Sequence, residues 1–267
     1  MYKEFFKLKE RPFSKTPDPL YLYQSRSHRE ALARLMFAVE EREMILLTGD
    51  IGCGKTTLSR ALIDELGDTA KVTLLTNPRL TPLELLYSLA TNFGVSAPAS
   101  DRLGLLEQIE QVLYGLFQKG RLPVLIIDEA HLIPHRDTFE EIRLLTNFQL
   151  DDGNLISIIF IGQPELRQRL AHPVYEPLRQ RIGLQFNIGP LSQDETAAYL
   201  RHRVQCAGGT AEIFLEDAIV ELHRFSRGVP RRINQAASLA LLEAFGREQL
   251  QVDSLIVAEV VAELTGI

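Results

Sequence analysis

A glycine-rich stretch from Leu46 to Thr57 contains the residue types and spacing best suited to chemistry. It reads L-L-T-G-D-I-G-C-G-K-T-T, and Gly49, Gly54, Lys55 and Thr56 fill the pattern G-x-x-x-x-G-K-[ST]. Glycines let the backbone turn so that successive N–H groups point at phosphate oxygens. A lysine and a hydroxyl at the last two positions suit the β- and γ-phosphates and Mg²⁺. The stretch is therefore predicted to be a phosphate-binding loop.

The flanking residues supply the context that this motif requires. Met44 to Leu47 form an apolar run typical of a buried strand, and Leu58, Ala61 and Leu62 share one helical face after the loop. A helix that begins at the loop adds a partial positive charge facing the phosphates. The predicted nucleotide contacts are Gly49, Asp50, Ile51, Gly52, Cys53, Gly54, Lys55, Thr56 and Thr57, with Thr56 as a magnesium ligand. The alternative is a glycine-rich turn before a helix.

An acidic pair follows a second apolar run. Asp128 and Glu129 come directly after Val124 to Ile127. Asp128 is predicted to hold Mg²⁺ at the carboxyl edge of the sheet, and Glu129 to deprotonate the attacking water. An exposed acidic loop is the alternative. The tetrapeptide that ends in His131 also resembles DEAH-box helicases, but those enzymes need two motor domains, so His131 is predicted to form local hydrogen bonds only.

Polar and basic side chains follow the next predicted strand. Gln163 comes after the apolar run Leu155 to Ile161 and is predicted to hold the attacking water or sense the γ-phosphate; a turn residue is the alternative. Arg179 and Arg181 lie just before the run Leu184 to Ile188. An arginine from a neighbouring subunit stabilises charge on the γ-phosphoryl oxygens. Arg181 is the preferred finger and Arg179 the next candidate, with a salt-bridged surface pair as the alternative.

A last arginine lies near the start of a predicted helix. In the stretch G-V-P-R-R-I-N, Arg231 falls in the first helical turn, where a cation is unfavourable against the helix dipole. A nearby phosphate would remove that objection. Arg231 is therefore predicted to bind the nucleotide and sense the γ-phosphate.

Apolar runs alternate with helical patterns through most of the chain. Strands are predicted at 44–47, 72–75, 123–127, 155–161 and 184–188, and helices at 27–39, 58–63, 81–93, 103–119 and 138–150, with Ser27, Thr81 and Thr138 as N-caps. This alternation predicts a parallel, helix-flanked sheet. After residue 190 the pattern is helical only. The predicted division is an arm (1–27), an α/β nucleotide-binding domain (28–189) and a helical lid (190–267).

The predicted arm is rich in aromatic residues and prolines. Phe5, Phe6 and Phe13 precede T-P-D-P-L-Y-L-Y, and prolines 12, 17 and 19 exclude a continuous helix. Two alternatives are open for this segment: a tail laid on the surface, or an aromatic wall beside the adenine.

Composition limits the class of protein. The 267 residues are 45% hydrophobic, with a formal net charge of -6. No run of eighteen apolar residues occurs, so the sequence predicts no membrane-spanning helix. The N-terminus is too charged for a signal peptide. Two cysteines, Cys53 and Cys206, predict neither a disulfide framework nor a metal site. A cytoplasmic protein is expected. Two alternatives are open for Cys53: a thiol whose pKa is lowered by Lys55 and the helix N-terminus, or a small residue that needs no special purpose.

The order of these motifs resembles the AAA+ superfamily. The stretches F-x-L-K-E-R-P-F-S-K-T-P-D-P-L-Y-L-Y-Q-S-R-S-H-R-E-A-L-A-R-L, I-G-Q-P-E-L and G-V-P-R-R-I-N are similar to the ExeA/GspA family of type II secretion-associated ATPases, which is related to MshM-type pilus proteins and exosortase-associated ATPases. The likeness covers nearly the whole chain. Cys53 departs from the threonine usual in that family.

The resemblance implies both fold and activity. It implies a P-loop NTPase sheet of five parallel strands in the order 5-1-4-3-2, an all-helical lid, ATP and Mg²⁺ as cofactors, and homo-oligomers with shared sites. It also implies a partner in an envelope secretion or pilus complex. Because ExeA/GspA continues into a transmembrane helix, the chain is expected to be either a cytoplasmic fragment or a short stand-alone relative.

Two other functions stay open at this point. A DNA-binding regulator of the TnsC/MuB transposition type is favoured by the basic run Arg224, Arg227, Arg231 and Arg232, although the acidic net charge opposes it. A signalling switch that rarely hydrolyses ATP is the third hypothesis.

Overall fold

Two compact units make up the described protein. The computed structural model describes residues 2–14, 19–150 and 153–266, so Pro17 of the predicted arm lies outside the described residues. The sheet unit comprises Arg29–Gly49 and Ser59–Ile188. The helical unit comprises Met1–His28, Asp50–Leu58 and Gly189–Ile267. The division into arm, nucleotide-binding domain and lid remains a proposal about function.

The helices follow the predicted pattern closely. Within the described residues they are α1 (Tyr2–Phe5), α2 (Arg26–Glu40), α3 (Lys55–Leu66), α4 (Pro82–Phe93), α5 (Arg102–Gln118), α6 (Arg136–Leu145), α7 (Pro164–Leu170), α8 (Glu176–Arg181), α9 (Gln193–Cys206), α10 (Glu216–Ser226), α11 (Pro230–Gly246) and α12 (Ser254–Thr265). The capping box of α4 is present as predicted, with the Thr81 hydroxyl accepting from the Glu84 N–H and the Glu84 carboxylate accepting from the Thr81 N–H.

The strands form a parallel sheet in the sheet unit. They are β1 (Met44–Gly49), β2 (Ala70–Leu75), β3 (Leu122–Ile127), β6 (Ser157–Gly162) and β7 (Ile182–Ile188), in the spatial order β2-β3-β6-β1-β7. Counted along the chain and read from the other edge, this order is 5-1-4-3-2, so the predicted topology is confirmed. A separate pair is formed by β4 (Gln149–Leu150) and β5 (Gly153–Asn154), which run antiparallel.

Burial explains why these segments form central strands. Every residue of β1 and β6 is buried, as are the last five residues of β3. A parallel strand covered on both faces needs such a continuous apolar run. The core of the sheet unit joins Leu46, Leu125 and Phe160 to Phe139 and other apolar residues of the helices.

Two predicted helix boundaries were wrong. Ser27 lies inside α2, and the side chain of Ser25 instead accepts from the N–H of His28 at 3.3 Å, three residues on. Thr138 likewise lies inside α6, where its hydroxyl donates to the carbonyl of Leu80 at 3.0 Å. The helix ends at Leu145 rather than near residue 150, because Gln149–Leu150 pairs with Gly153–Asn154 instead.

The aromatic N-terminal residues belong to the core of the helical unit. Phe6, Phe13 and Tyr21 are buried with apolar residues of α9 to α12. The guanidinium of Arg203 is also buried: Nε donates to the Pro12 carbonyl at 2.6 Å and Nη1 to the Tyr199 hydroxyl at 3.1 Å. The alternative of a surface-laid tail was therefore wrong, while an adenine-facing wall stays a prediction.

Candidate functional site

Two glycines give the loop after β1 its shape. Gly52 and Gly54 adopt φ values of 85° and 92°, a left-handed conformation that side chains rarely adopt. A Cβ on Gly52 would lie 2.5 Å from the Cβ of Arg231, and one on Gly54 would lie 2.9 Å from Nε2 of His28. Both glycines are therefore required by conformation and by space.

Hydrogen bonds hold three carbonyl groups of this loop. The Asp50 carbonyl accepts from the Cys53 N–H at 3.2 Å, and the Gly52 carbonyl accepts from the Arg231 N–H at 3.2 Å. The Cys53 carbonyl lies 2.9 Å from Nε2 of His28. Because carbonyl and N–H groups of a trans peptide point in opposite directions, engaging the carbonyls sets the direction of the neighbouring N–H groups. The arrangement suits a cradle for an anion.

The loop leads directly into α3. The helix begins at Lys55, and the Leu58 N–H donates to the Gly54 carbonyl at 2.9 Å. The Lys55 side chain is buried at 6% exposure, and its ammonium donates to the Asp50 carbonyl at 3.0 Å. Asp50 and Ile51 are exposed, while Thr56 and Thr57 are half-buried. A lysine held across the loop at a helix N-terminus suits phosphate binding.

The alternative of a lowered Cys53 pKa was wrong. The Cys53 side chain is fully buried. Burial and the nearby Asp50 carboxylate raise the thiol pKa above its ordinary value, outweighing the opposing effect of Lys55. The thiol therefore stays protonated, and a small buried side chain is what this position requires.

Two predicted site residues follow strands that end at one edge of the sheet unit. β1, β3 and β6 run parallel, so their carboxyl ends at Gly49, Ile127 and Gly162 share one edge. Asp128 and Gln163 follow two of these ends directly. In parallel sheets this edge is where ligands bind. A Cβ on Gly49 would lie 2.8 Å from the Ile188 carbonyl oxygen, so the first loop glycine is also required.

Asp128 and Glu129 occupy different environments. Asp128 is 5% exposed, and its carboxylate accepts from the Glu129 N–H at 2.9 Å. Glu129 adopts φ 51°, a left-handed conformation unusual for a residue with a side chain. Strained backbone of this kind is characteristic of functional sites.

His131 connects Glu129 with Gln163. Its Nε2 lies 3.3 Å from a carboxylate oxygen of Glu129 and 2.9 Å from the amide nitrogen of Gln163. The Gln163 backbone N–H also reaches Nδ1 of the ring at 3.4 Å. The structure thus brings the predicted water-activating residue and the predicted strand-end sensor to one histidine.

The two arginine-finger candidates lie in the last turn of α8. Arg179 pairs with the Glu176 carboxylate and donates to the Ala171 carbonyl. Arg181 is exposed, and its guanidinium reaches the Asn147 side-chain oxygen at 3.4 Å. Arg179 therefore forms an ion pair and a hydrogen bond to a backbone carbonyl, whereas the contact of Arg181 is with one amide oxygen. The preference for Arg181 as the finger stays a prediction.

Arg231 contacts the phosphate loop through its backbone. It is the second residue of α11, and its N–H donates to Gly52 while its side chain is exposed. The structure therefore brings Arg231 to Gly52 of the loop. A role as nucleotide sensor stays a prediction.

Comparison with known proteins identifies the family to which this chain belongs. An AAA domain family matches residues 39–170. The chain is 41% identical over 250 residues to general secretion pathway protein A of Aeromonas hydrophila, a match that covers 92% of this chain and 45% of that protein. The chain belongs to the ExeA/GspA family of AAA+ proteins. It spans about half the length of the curated relatives it matches.

Solved structures of other AAA+ proteins share the fold of this protein. The ORC2 protein of Aeropyrum pernix gives a TM-score of 0.68 at 19% identity, covering 96% of this chain and 72% of that one. The RuvB Holliday junction branch migration motor of Thermotoga maritima gives 0.62 at 18% identity, covering 92% and 73%. At this identity the likeness shows the fold alone. The transposition-type alternative is not favoured, because the identity to the secretion protein extends over nearly the whole chain.

The residues present fit Mg-ATP. The loop offers N–H groups in an orientation set by its bonded carbonyls, together with a lysine and a helix N-terminus. Mg²⁺ bound with nucleotide prefers one or two protein oxygens plus phosphates and water, and Thr56 of the helical unit and Asp128 of the sheet unit each carry an oxygen of this kind. Among residues 2–14, 19–150 and 153–266, no helix combines the length and apolar character needed to span a bilayer.

Sequence reasoning missed two residues of this site. Ser25 and His28 hold the loop from the start of α2, with 2.7 Å between the serine hydroxyl and Nδ1 of the ring. No local pattern distinguishes such a histidine from an ordinary helical one. The contact depends on residues 25 positions apart in the chain.

Proposed function

We propose that this AAA+ ATPase binds Mg-ATP, assembles into homo-oligomers and uses ATP hydrolysis to drive assembly of an envelope secretion or pilus-type complex. The observation that carries the proposal is the shape of the phosphate loop, in which backbone carbonyls are held by Lys55, His28 and Arg231. The likeness to general secretion pathway protein A supports the pathway.

Each loop residue has a defined task in binding. Lys55 neutralises charge on the β- and γ-phosphates. Backbone N–H groups between Gly52 and Thr57 hydrogen-bond phosphate oxygens, except that of Cys53, which donates to the Asp50 carbonyl. Thr56 and Asp128 hold Mg²⁺, which withdraws charge from the phosphates when bound. The exposed guanidinium of Arg231 senses whether the γ-phosphate is present.

The strand-end residues act on the attacking water. Glu129 accepts its proton, as a carboxylate positioned within hydrogen-bond reach can do. Gln163 holds the water in line or registers the γ-phosphate, and its contact with His131 supports a shared task with Glu129. Both side chains are half-buried.

Oligomerisation completes the proposal. An arginine from a neighbouring subunit, Arg181 or else Arg179, stabilises charge that develops in the transition state. Hydrolysis then depends on assembly, which is how a nucleotide state controls a larger complex. We infer action at the cytoplasmic side of the envelope through a partner protein.

Replacing Glu129 tests the proposal directly. Glu129→Gln should retain ATP binding and stabilise oligomers, while turnover falls about 10²- to 10⁴-fold, the usual contribution of a general base. Glu107→Gln, an exposed carboxylate on α5, is the matched control. Size measurement with and without ATP and a phosphate-release assay give both readouts. Unchanged turnover in Glu129→Gln would remove the assigned base, and absence of ATP binding by the natural chain would overturn the proposed function.

A further inference from the structure

A buried histidine outside the recognised motifs contacts the phosphate loop. His28 lies in the first turn of α2 and is 3% exposed. Its Nε2 lies 2.9 Å from the Cys53 carbonyl, and its Nδ1 lies 2.7 Å from the Ser25 hydroxyl. The proposed binding and hydrolysis steps give this ring no direct contact with nucleotide or with the attacking water.

The hydrogen bonds determine the state of the ring. The Cys53 carbonyl only accepts, so Nε2 carries a proton and donates it. Burial lowers the pKa of His28, an effect that the Cys53 carbonyl and the Glu195 carboxylate on α9 partly offset. The ring is therefore neutral near pH 7, and Nδ1 accepts from the Ser25 hydroxyl, whose oxygen in turn accepts from the His28 N–H at 3.3 Å. Each polar atom in this chain of bonds is satisfied.

The hydrogen bond to the Cys53 carbonyl also sets the direction of the Gly54 N–H. The Cys53 carbonyl and the Gly54 N–H belong to one planar trans peptide and point in opposite directions. Fixing the carbonyl on Nε2 therefore directs the Gly54 N–H away from the ring. Gly54 itself has no room for a side chain, since Nε2 would lie 2.9 Å from its Cβ.

The start of α2, which carries the ring, is hydrogen-bonded to α9. The first N–H of α2, from Arg26, donates to one carboxylate oxygen of Glu195 at 3.1 Å. The other oxygen of Glu195 accepts from the Ser192 N–H at 3.0 Å, closing the capping box of α9. The start of α2 thus joins the phosphate loop to the start of α9 within the helical unit.

We propose that His28 is a positioning residue for nucleotide binding: by holding the Cys53 carbonyl it aims the Gly54 N–H at the phosphate site and makes loop geometry depend on α9. This inference rests on the proposed function, since it assigns the phosphate loop to nucleotide. A loop organised before binding has less conformational entropy to lose on binding. Loss of the hydrogen bond from His28 to the Cys53 carbonyl should weaken the binding of substrate and of the transition state alike.

Two substitutions separate the donated bond from mere packing. His28→Leu fills the site without a donor, whereas the side-chain amide of His28→Gln reaches the same carbonyl. ATP affinity should fall about 5- to 100-fold in His28→Leu, since the Cys53 carbonyl is left unpaired. Affinity should stay within about threefold of the natural protein in His28→Gln, and kcat at saturating ATP should change less than KM in both. His135→Leu, at an exposed histidine, is the control.

The outcomes are distinct. Equal ATP affinity in His28→Leu and the natural protein, or equal weakening in His28→Leu and His28→Gln, overturns the positioning role. If His28→Leu does not fold, His28→Asn replaces it, because its amide is too short to reach Cys53; equal affinity of the Asn and Gln variants then overturns the role. A natural protein that binds no ATP refutes the proposed function instead, so the two failures are distinguishable.

Discussion

His131 and Gln163 meet at the carboxyl edge of the sheet, with 2.9 Å between the ring Nε2 and the side-chain amide nitrogen. The same ring nitrogen lies 3.3 Å from the Glu129 carboxylate. The ring Nε2 therefore contacts both side chains, and the Gln163 backbone N–H reaches Nδ1 at 3.4 Å. The position of Glu129 is thus linked to the end of β6.

Removing this ring should slow hydrolysis more than it weakens binding. We expect His131→Ala to lower kcat about tenfold or more with ATP affinity within about threefold, because Glu129 loses a group that orients it. His135→Ala, an exposed histidine four residues on, is the matched control. Phosphate-release kinetics and ATP titration check the result. A kcat equal to that of the control would show that the ring has no part in the reaction.

A mixture of two inactive variants tests the shared site. Arg181→Ala and Lys55→Ala subunits are each expected to be inactive alone, and mixing them should restore part of the turnover because some interfaces combine an intact loop with an intact arginine. The same mixture with Arg179→Ala decides between the two candidates. Arg167→Ala, exposed on α7, should keep full activity. No recovery with either arginine variant argues against a finger supplied by a neighbouring subunit.

Gly52→Ala should damage the loop through strain and overlap. The residue adopts φ 85°, and an added Cβ would lie 2.5 Å from Cβ of Arg231. We expect a loss of more than about 1 kcal/mol in the free energy of unfolding, together with weaker ATP binding. Gly115→Ala within α5, where an added Cβ meets nothing within 4 Å, should stabilise the protein by about 0.5–1 kcal/mol. Urea unfolding measures both, and equal effects of the two changes would contradict the argument.

Ser25 and Ser27 provide a matched test of the N-cap. Ser25→Ala removes the hydroxyl that accepts from the His28 N–H and should lower the free energy of unfolding by about 1 kcal/mol. Ser27→Ala lies inside α2 and should be nearly neutral, or slightly stabilising, because alanine has the higher helix propensity. Thermal and urea unfolding give the comparison. A larger loss of stability in Ser27→Ala than in Ser25→Ala would support the helix start that was predicted from the sequence.

Stability should fall on mild acidification because of His28. Its pKa in the folded protein is lowered, chiefly by burial, so the unfolded chain takes up this proton first as pH falls. The stabilising contribution is complete above the ordinary histidine pKa, about 6.5, and is lost below it until the lowered folded pKa is reached. His28→Gln should remove this component. Urea unfolding at several pH values from about 5 to 8 checks the slope, and an identical slope in the variant would exclude His28 as its source.

The local sequence pattern was sufficient to predict the helices and strands and their order along the chain. The runs ending at Leu47 and Ile127 are apolar throughout, which is what central parallel strands require, and each lies in an observed strand. The run ending at Ile161 is apolar except for Ser157, where the observed strand begins. The predicted helix starts were less accurate. S-H-R-E and T-F-E-E both match the capping-box pattern, yet Ser27 and Thr138 lie inside α2 and α6. Ser25 and the hairpin at Gln149–Leu150 decided those boundaries through contacts that the pattern does not encode.

By itself, the sequence determined the phosphate loop, the acidic pair after β3 and the topology of the sheet, because each depends on residue types a few positions apart. Tertiary structure alone decided how the loop is held. His28, Gly52 and Arg231 meet although they are far apart in the chain, and the burial of Cys53 reverses the pKa shift that its charged neighbour Lys55 predicted. Hydrogen bonds and desolvation depend on distance in space, and only the folded chain sets those distances.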